Sequence, residues 1–453
     1  MNEATIAAHR FGLGESTLSA VHPDPRGWVL EQLRAPSPLD ATGLESTADM
    51  RAIGRRVLQA ALQPAEPQGS EQARSSVREA GLRDLQRRWH HRITTTTPVA
   101  ERWIAFWANH FTVAATKGTT LGLVGPFERE AIRPLAFGRF ADLLRAATLH
   151  PAMLLYLDNA VSFGAGSTAG RRRGGGLNEN LARELLELHT LGVNGGYTQA
   201  DVTETARLLT GWTVSRSRDR MDAADTSPDA AGAGRFVSAL HEPGSKHILG
   251  RRYEEGPQAV NALLDDLARH PATARHLARK LAGHFVADEP PPTLVAAVAA
   301  AFQASDGDLA TVARVLFTHE LAWRTEGPGK LKRPEEWMLS AHRVLAWPIQ
   351  APAAAMRLAT QLGEMGQPPN RAPSPQGWPD LQADWLGPDA IWKRIEWASQ
   401  FAQAVGAGVD ARAVAEASLG TGLGPATRRE IERAESPTQA LALFLASPEF
   451  LRR

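Results

Sequence analysis

Cysteine is absent from this chain of 453 residues. That excludes disulfides, thiolate metal sites and cysteine nucleophiles. A dominant charge sign is also lacking: 50 basic and 49 acidic residues leave a formal net charge of +1. So small a charge argues against a nucleic-acid backbone as partner. No stretch of about 18 apolar residues is free of charge, so no membrane-spanning helix is expected. The segment from Met1 to Gly14 has no basic region followed by an apolar one. No secretory signal is read there, and the expected compartment is the cytoplasm. Neither Gly-x-x-x-x-Gly-Lys nor His-Glu-x-x-His occurs. A phosphate loop is therefore excluded, and a metal site would have to be assembled from separate segments. Runs of alternating β-branched residues of strand length are missing too.

What is present is helical punctuation. Hydrophobic residues make up 43% of the chain and there are 12 Trp, enough for a substantial core. Helical patterns recur at 50–62, 71–94, 140–157 (broken at Pro151), 258–269, 273–285, 293–304, 309–317, 391–405, 411–417 and 438–446. The expected class is all-α, a large multi-helix globular fold with a central αα-hairpin and long loops. That hairpin spans 177–212. On a wheel of about 100° per residue, Glu179, Asn180, Arg183, Glu184 and Glu187 form one stripe, and Leu181, Ala182, Leu185, Leu186, Leu188 and His189 the other. Gly192 and Gly195-Gly196 stop the first helix. Thr198 and Asp201 form a capping box that opens the second, closed by Gly211. The run Arg171-Arg172-Arg173 within 162–176 is expected as a basic loop, and 215–234, almost without apolar anchors, as a flexible insertion.

The hairpin's wording, Asn178-Glu179-Asn180-Leu181-Ala182-Arg183-Glu184-Leu185 with Thr190-Leu191-Gly192, then Gly196-Tyr197-Thr198 and Asp201-Val202, resembles the signature of the bacterial family called domain of unknown function 1800. Further blocks agree in order: Arg10 to Gly14, Phe106 to Phe111, Pro151 to Asp158, His241 with Lys246, and Gly377-Trp378-Pro379 before Trp385. The resemblance covers almost the whole chain and implies one family-wide unit, 1–453, with 1–212 and 236–453 as possible subdivisions. It implies no reaction and no cofactor. Many relatives carry an export signal, so a periplasmic location stays open. Genes of this type often neighbour one for a sulfatase- or phosphatase-like protein, which suggests such a partner.

Candidate site residues are the polar groups that local helix rules leave unexplained. Glu184, at the edge of the apolar stripe, is expected to be half-buried, where its pKa rises or it must find a cation, and Asn180, Arg183 and Glu184 to face other segments rather than water. His110, on the aromatic face of its helix, is either a satisfied core histidine or a general base or metal ligand meeting a carboxylate such as Asp158. Glu184, His110 and Asp158 are thus the catalytic candidates, with Asn109, Asn178, Asn180, Arg183, His241 and Lys246 as binding candidates. Two readings follow. One is a hydrolytic or group-transferring enzyme with Glu184 as acid or base. The other is a non-catalytic binding or assembly protein in which these groups hold helices in register. A solvent-reachable cavity among polar groups favours the first, and a closed, paired network the second.

Overall fold

The helix Pro98–His110 lies at the centre of the fold. Pro98 starts it, at a position where the missing N–H costs nothing. Trp103, Ile104, Phe106, Trp107 and His110 are buried, and so are Glu101 and Arg102. A helix apolar almost all round is stable only if covered on every side. Phe285 and Phe317 cover Trp103 with ring centroids 5.8 and 6.0 Å away. Phe111 and Phe140 cover Trp107.

The structure is a computed structural model and describes residues 2–34, 36–61, 67–174, 176–214, 234–325 and 329–453. Helices dominate, in line with the all-α expectation. Among the described residues the strands are two short antiparallel ribbons, Trp212–Thr213 with Arg235–Phe236 and Lys246–Ile248 with Arg251–Tyr253. Several helices begin one to three residues earlier than their periodicity suggests, at Pro257, Pro271, Pro292, Pro388 and Pro437. Proline's fixed φ suits the first helical position. The Arg171 to Arg173 run is not loop. It ends the helix Thr168–Arg173, whose Ser167 cap accepts a hydrogen bond from the Gly170 N–H. Apart from Gly234, the expected insertion 215–234 lies outside the described residues.

Apolar burial divides into two cores. The first draws on residues from Ala4 to Trp323, on both sides of the 215–234 stretch. The second joins Trp337 through Phe450 to Leu85, Trp89 and Ile93. The 28-residue helix Pro67–Thr94 serves both, giving Ala80 to one and Leu85, Trp89 and Ile93 to the other. Where the cores meet, the interior is charged. Glu128 holds Arg88 and Arg133 at 2.9 Å each, and Arg133 also pairs with Glu101. Glu336 holds Arg333 at 3.0 Å, Arg102 at 3.3 Å and Arg453 at 3.4 Å. Burial alone would raise the Glu336 carboxyl, but Arg333 and Arg102 outweigh it and hold it at about 2. Removing one member of such a group strands a buried charge, at a cost of about 3–5 kcal/mol.

Buried imidazoles add a pH dependence. Burial is the main cause that lowers His9 and His189 to about 3, and His276 and His342 to about 4. The unfolded chain takes up these protons near pH 6.5, whereas the folded chain resists them. Their stabilising contribution is therefore complete above about pH 6.5 and is lost progressively toward pH 3. The melting temperature is expected to fall by several degrees between pH 7 and pH 5 in a calorimetric scan, before the carboxylates titrate. A flat profile over that range would contradict neutral buried histidines.

Candidate functional site

The signature hairpin has an unusual first helix. Asn180–Glu184 is α-helical, but Leu185–Thr190 is π-helical, with the Leu191 N–H bonded to Leu186 O. A π turn leaves carbonyls without their usual i+4 donors, and such turns recur at functional positions. Two imidazoles from other helices satisfy them. His110 Nε2 lies 3.2 Å from His189 O, and His276 Nε2 lies 3.1 Å from Leu188 O. His110 Nε2 therefore carries the proton, and Nδ1 accepts from Lys280 Nζ at 3.0 Å. Burial first, and Lys280 second, push the His110 pKa well down. Both its nitrogens are engaged, as a satisfied core histidine requires.

The polar stripe of the hairpin lies at the surface. Asn180 is exposed, and Arg183, with 42% of its side chain exposed, makes the i,i+4 pair with Glu179 at 3.1 Å and reaches Gln199. The expectation that Asn180 faces another segment is thus corrected, whereas Arg183, half-exposed, does reach across to the second helix of the hairpin. With Leu181, Ala182, Leu185 and Leu186 filling the core, the opposite stripe is left facing water. Glu179 clamps the hairpin from outside, accepting from Gln199 and Thr203. Asn178 caps locally, its side chain accepting from the Asn180 N–H.

Glu184 is half-buried, as expected. Burial and then Glu187 raise its pKa, against the pull of Arg183. Burial first, and Glu184 second, raise the pKa of the Tyr156 phenol. Asp158, in the left-handed region at φ 59°, pairs with Lys117 at 2.6 Å, and Lys117 also donates to Tyr156 O. Tyr156 thus connects the surroundings of Glu184 and Asp158, whereas His110 joins Glu184's helix on its buried face. His241 and Lys246 form a separate knot. His241 Nδ1 donates to Thr210 O at 2.7 Å, Nε2 accepts from the Gly256 N–H, and Lys246 donates to Glu242 O and Gly244 O.

A cavity of about 100 Å³ opens to solvent where the two cores meet. Its polar wall includes Arg88, Arg92, Glu128, Arg333, Glu335 and Asn109; its apolar wall includes Val113, Phe127 and Trp378. Arg88 is engaged through both terminal nitrogens, by Glu128 at 2.9 Å and Asn370 at 2.7 Å. Arg92 is not. It is buried, donates no hydrogen bond among the described residues, and meets Glu335 and Glu128 only at 3.6 and 3.7 Å. Burial would raise Glu128, but Arg88, Arg92 and Arg133 hold it far below the usual carboxylate range. Among the described residues, no group of three or more His, Asp or Glu side chains is placed to hold a metal ion, and no helix is long and apolar enough to cross a membrane.

The cavity wall brings two of the signature blocks together. Asn109 Nδ2 donates to Trp378 O at 3.1 Å, and its Oδ1 accepts from the Trp378 N–H at 2.8 Å. Over residues 6–452 the sequence matches the family described as protein of unknown function, DUF1800. The chain belongs to this family. No curated protein and no solved structure matches it. Of the binding candidates on this DUF1800 chain, only Asn109 lines the cavity. The arginines were missed, although Arg88 and Arg92 flank Trp89 at i,i+4 spacing and Arg333 precedes an apolar helix. Charge beside tryptophan in a helix destined for burial was the available signal.

The Asn109–Trp378 clamp depends on Gly377. Its φ is +86°, and an added Cβ would lie 2.5 Å from Asn109 O and 2.7 Å from Thr112 Oγ1. Gly377→Ala is therefore expected to destabilise the DUF1800 fold by about 1–3 kcal/mol. Urea unfolding measures this, and an unchanged midpoint would show that the close approach is dispensable.

Proposed function

We propose that this chain binds a small anion in the cavity between its two cores, with Arg92 and Arg333 as the recognising groups. One observation carries the reading: Arg92 is buried beside a solvent-open cavity and donates no hydrogen bond among the described residues. Buried polar groups are nearly always hydrogen-bonded, and a guanidinium has five donors arranged as a fork that matches an oxyanion. Arg88, four residues earlier, spends both terminal nitrogens on Glu128 and Asn370, whereas Arg92 lines the same cavity with its terminal nitrogens free of hydrogen bonds among the described residues. Arg333 is also incompletely used, donating Nη2 to Glu336 at 3.0 Å. The volume equals about three waters at roughly 30 Å³ each, which suits the head group of a ligand. Glu128, held ionised by three arginines, is no proton donor, so the arrangement supports recognition rather than acid–base turnover at this point.

A thermal-shift panel of small anions tests the site. A ligand at 100 times its Kd stabilises the fold by about 2.7 kcal/mol. Arg92→Met is expected to abolish the shift, whereas Arg412→Met, at an exposed position, keeps it. A shift that survives in Arg92→Met would remove the proposal.

A second reading rests on a different observation, the raised pKa of half-buried Glu184, whose charge is felt at Tyr156, with the Lys117–Asp158 pair held to the Tyr156 carbonyl. A carboxyl shifted toward neutrality suits a general acid or base in hydrolysis or group transfer. His110 then serves to hold the π turn on which Glu184's helix depends. Glu184→Gln is expected to change stability by no more than about 0.5 kcal/mol while abolishing turnover found in a hydrolase screen. Turnover undiminished in that variant would exclude Glu184 from the chemistry.

A further inference from the structure

Resting on the anion site proposed above, the geometry points to its ligand class: an organic monocarboxylate with a short apolar tail, rather than an inorganic oxyanion such as phosphate. Charge is the first argument. The cavity is lined by Arg88, Arg92 and Arg333 against Glu128 and Glu335. Arg333 is already held by Glu336, and Glu128 and Glu335 face the same space, so each negative charge on a ligand is opposed by two carboxylates and a monoanion is favoured over a dianion. A dianion would leave a buried negative charge without a partner, and such burial is strongly unfavourable.

The wall is the second argument. Ala105, Ala108, Val113, Val124, Phe127 and Trp378 line the same cavity. A small inorganic ion would shed its hydration against these groups and gain nothing from them. A carboxylate carrying a few methylenes gains about 0.8 kcal/mol for each one buried there. Size is the third. A cavity of about 150 Å³ accepts six-carbon benzene, so one of about 100 Å³ encloses a carboxyl group with one or two carbons, and its opening to solvent leaves room for a slightly longer tail along the apolar wall.

Glu335 sharpens the inference. It is the cavity carboxylate nearest Arg92 that is not fully buried, and its Oε1 accepts from Trp89 Nε1 at 2.7 Å while standing 3.6 Å from Arg92. It is too distant to hydrogen-bond Arg92 and near enough to repel an arriving carboxylate. A planar carboxylate would take the Arg92 fork that Glu335 leaves open.

Isothermal titration of the full chain with acetate, propionate, butyrate, phosphate and sulfate decides the matter. Affinity is expected to rise from acetate to butyrate, with phosphate and sulfate failing to bind. Arg92→Met should weaken butyrate roughly ten- to hundredfold, the loss of charge-assisted hydrogen bonds. Glu335→Gln, which keeps an acceptor for Trp89, should tighten it. Ala108→Leu, narrowing the apolar wall, should weaken butyrate more than acetate. If that variant fails to fold, the tail-length series on the unaltered chain carries the same information. Arg92-dependent binding of phosphate without butyrate would overturn the carboxylate assignment and leave the anion site standing. Binding of neither would overturn both.

Discussion

Two buried carboxylates, Glu128 and Glu336, each hold guanidinium groups from distant parts of the chain at the place where the two apolar cores meet. Each carboxylate is shared by three arginines, so no single pair can be removed without stranding a charge in low dielectric. The helix Pro98–His110 is the common element. Its Glu101 enters the Glu128 group through Arg133, and its Arg102 enters the Glu336 group. A helix with aromatic residues on most faces and two charges in its first turn can be buried only if both charges find partners. Those partners fix how the second core sits against the first.

The cavity is a consequence of the same arrangement. Arginines from the Pro67–Thr94 helix and from the start of the Pro334–Val344 helix, both beside the second core, line the cavity together with Val113 and Phe127 of the first core. The loop bearing Gly377 and Trp378 forms a further wall, docked on Asn109 through two hydrogen bonds. Ligand sites favour such junctions because neither side can close alone around its own polar groups.

The signature hairpin has a different part. Its π turn offers backbone carbonyls to His110 and His276, which ties it to the central helix and to the helix Pro271–Phe285. The polar residues that make the signature conspicuous lie mostly on the opposite, solvated side. There Glu179 and Arg183 join the two helices of the hairpin, and Glu184 stands half-buried near Tyr156.

From sequence alone, helix identity was legible nearly throughout. Period, proline starts and glycine stops act over a few residues and need no distant contact. The capping box at Thr198 and Asp201, the break at Pro151 and the half-buried character of Glu184 belong to the same class. What tertiary structure alone decided was which polar stripe faces inward. A wheel orders residues around one helix axis but does not say where the rest of the protein lies, so the hairpin's charges looked interior and Arg88 and Arg92 attracted no notice. The π turn was hidden for a related reason, since two of its carbonyls are held by imidazoles 79 and 88 residues away. Partner choice among buried charges is a property of the assembled fold, because each arginine's carboxylate arrives from another segment of the chain.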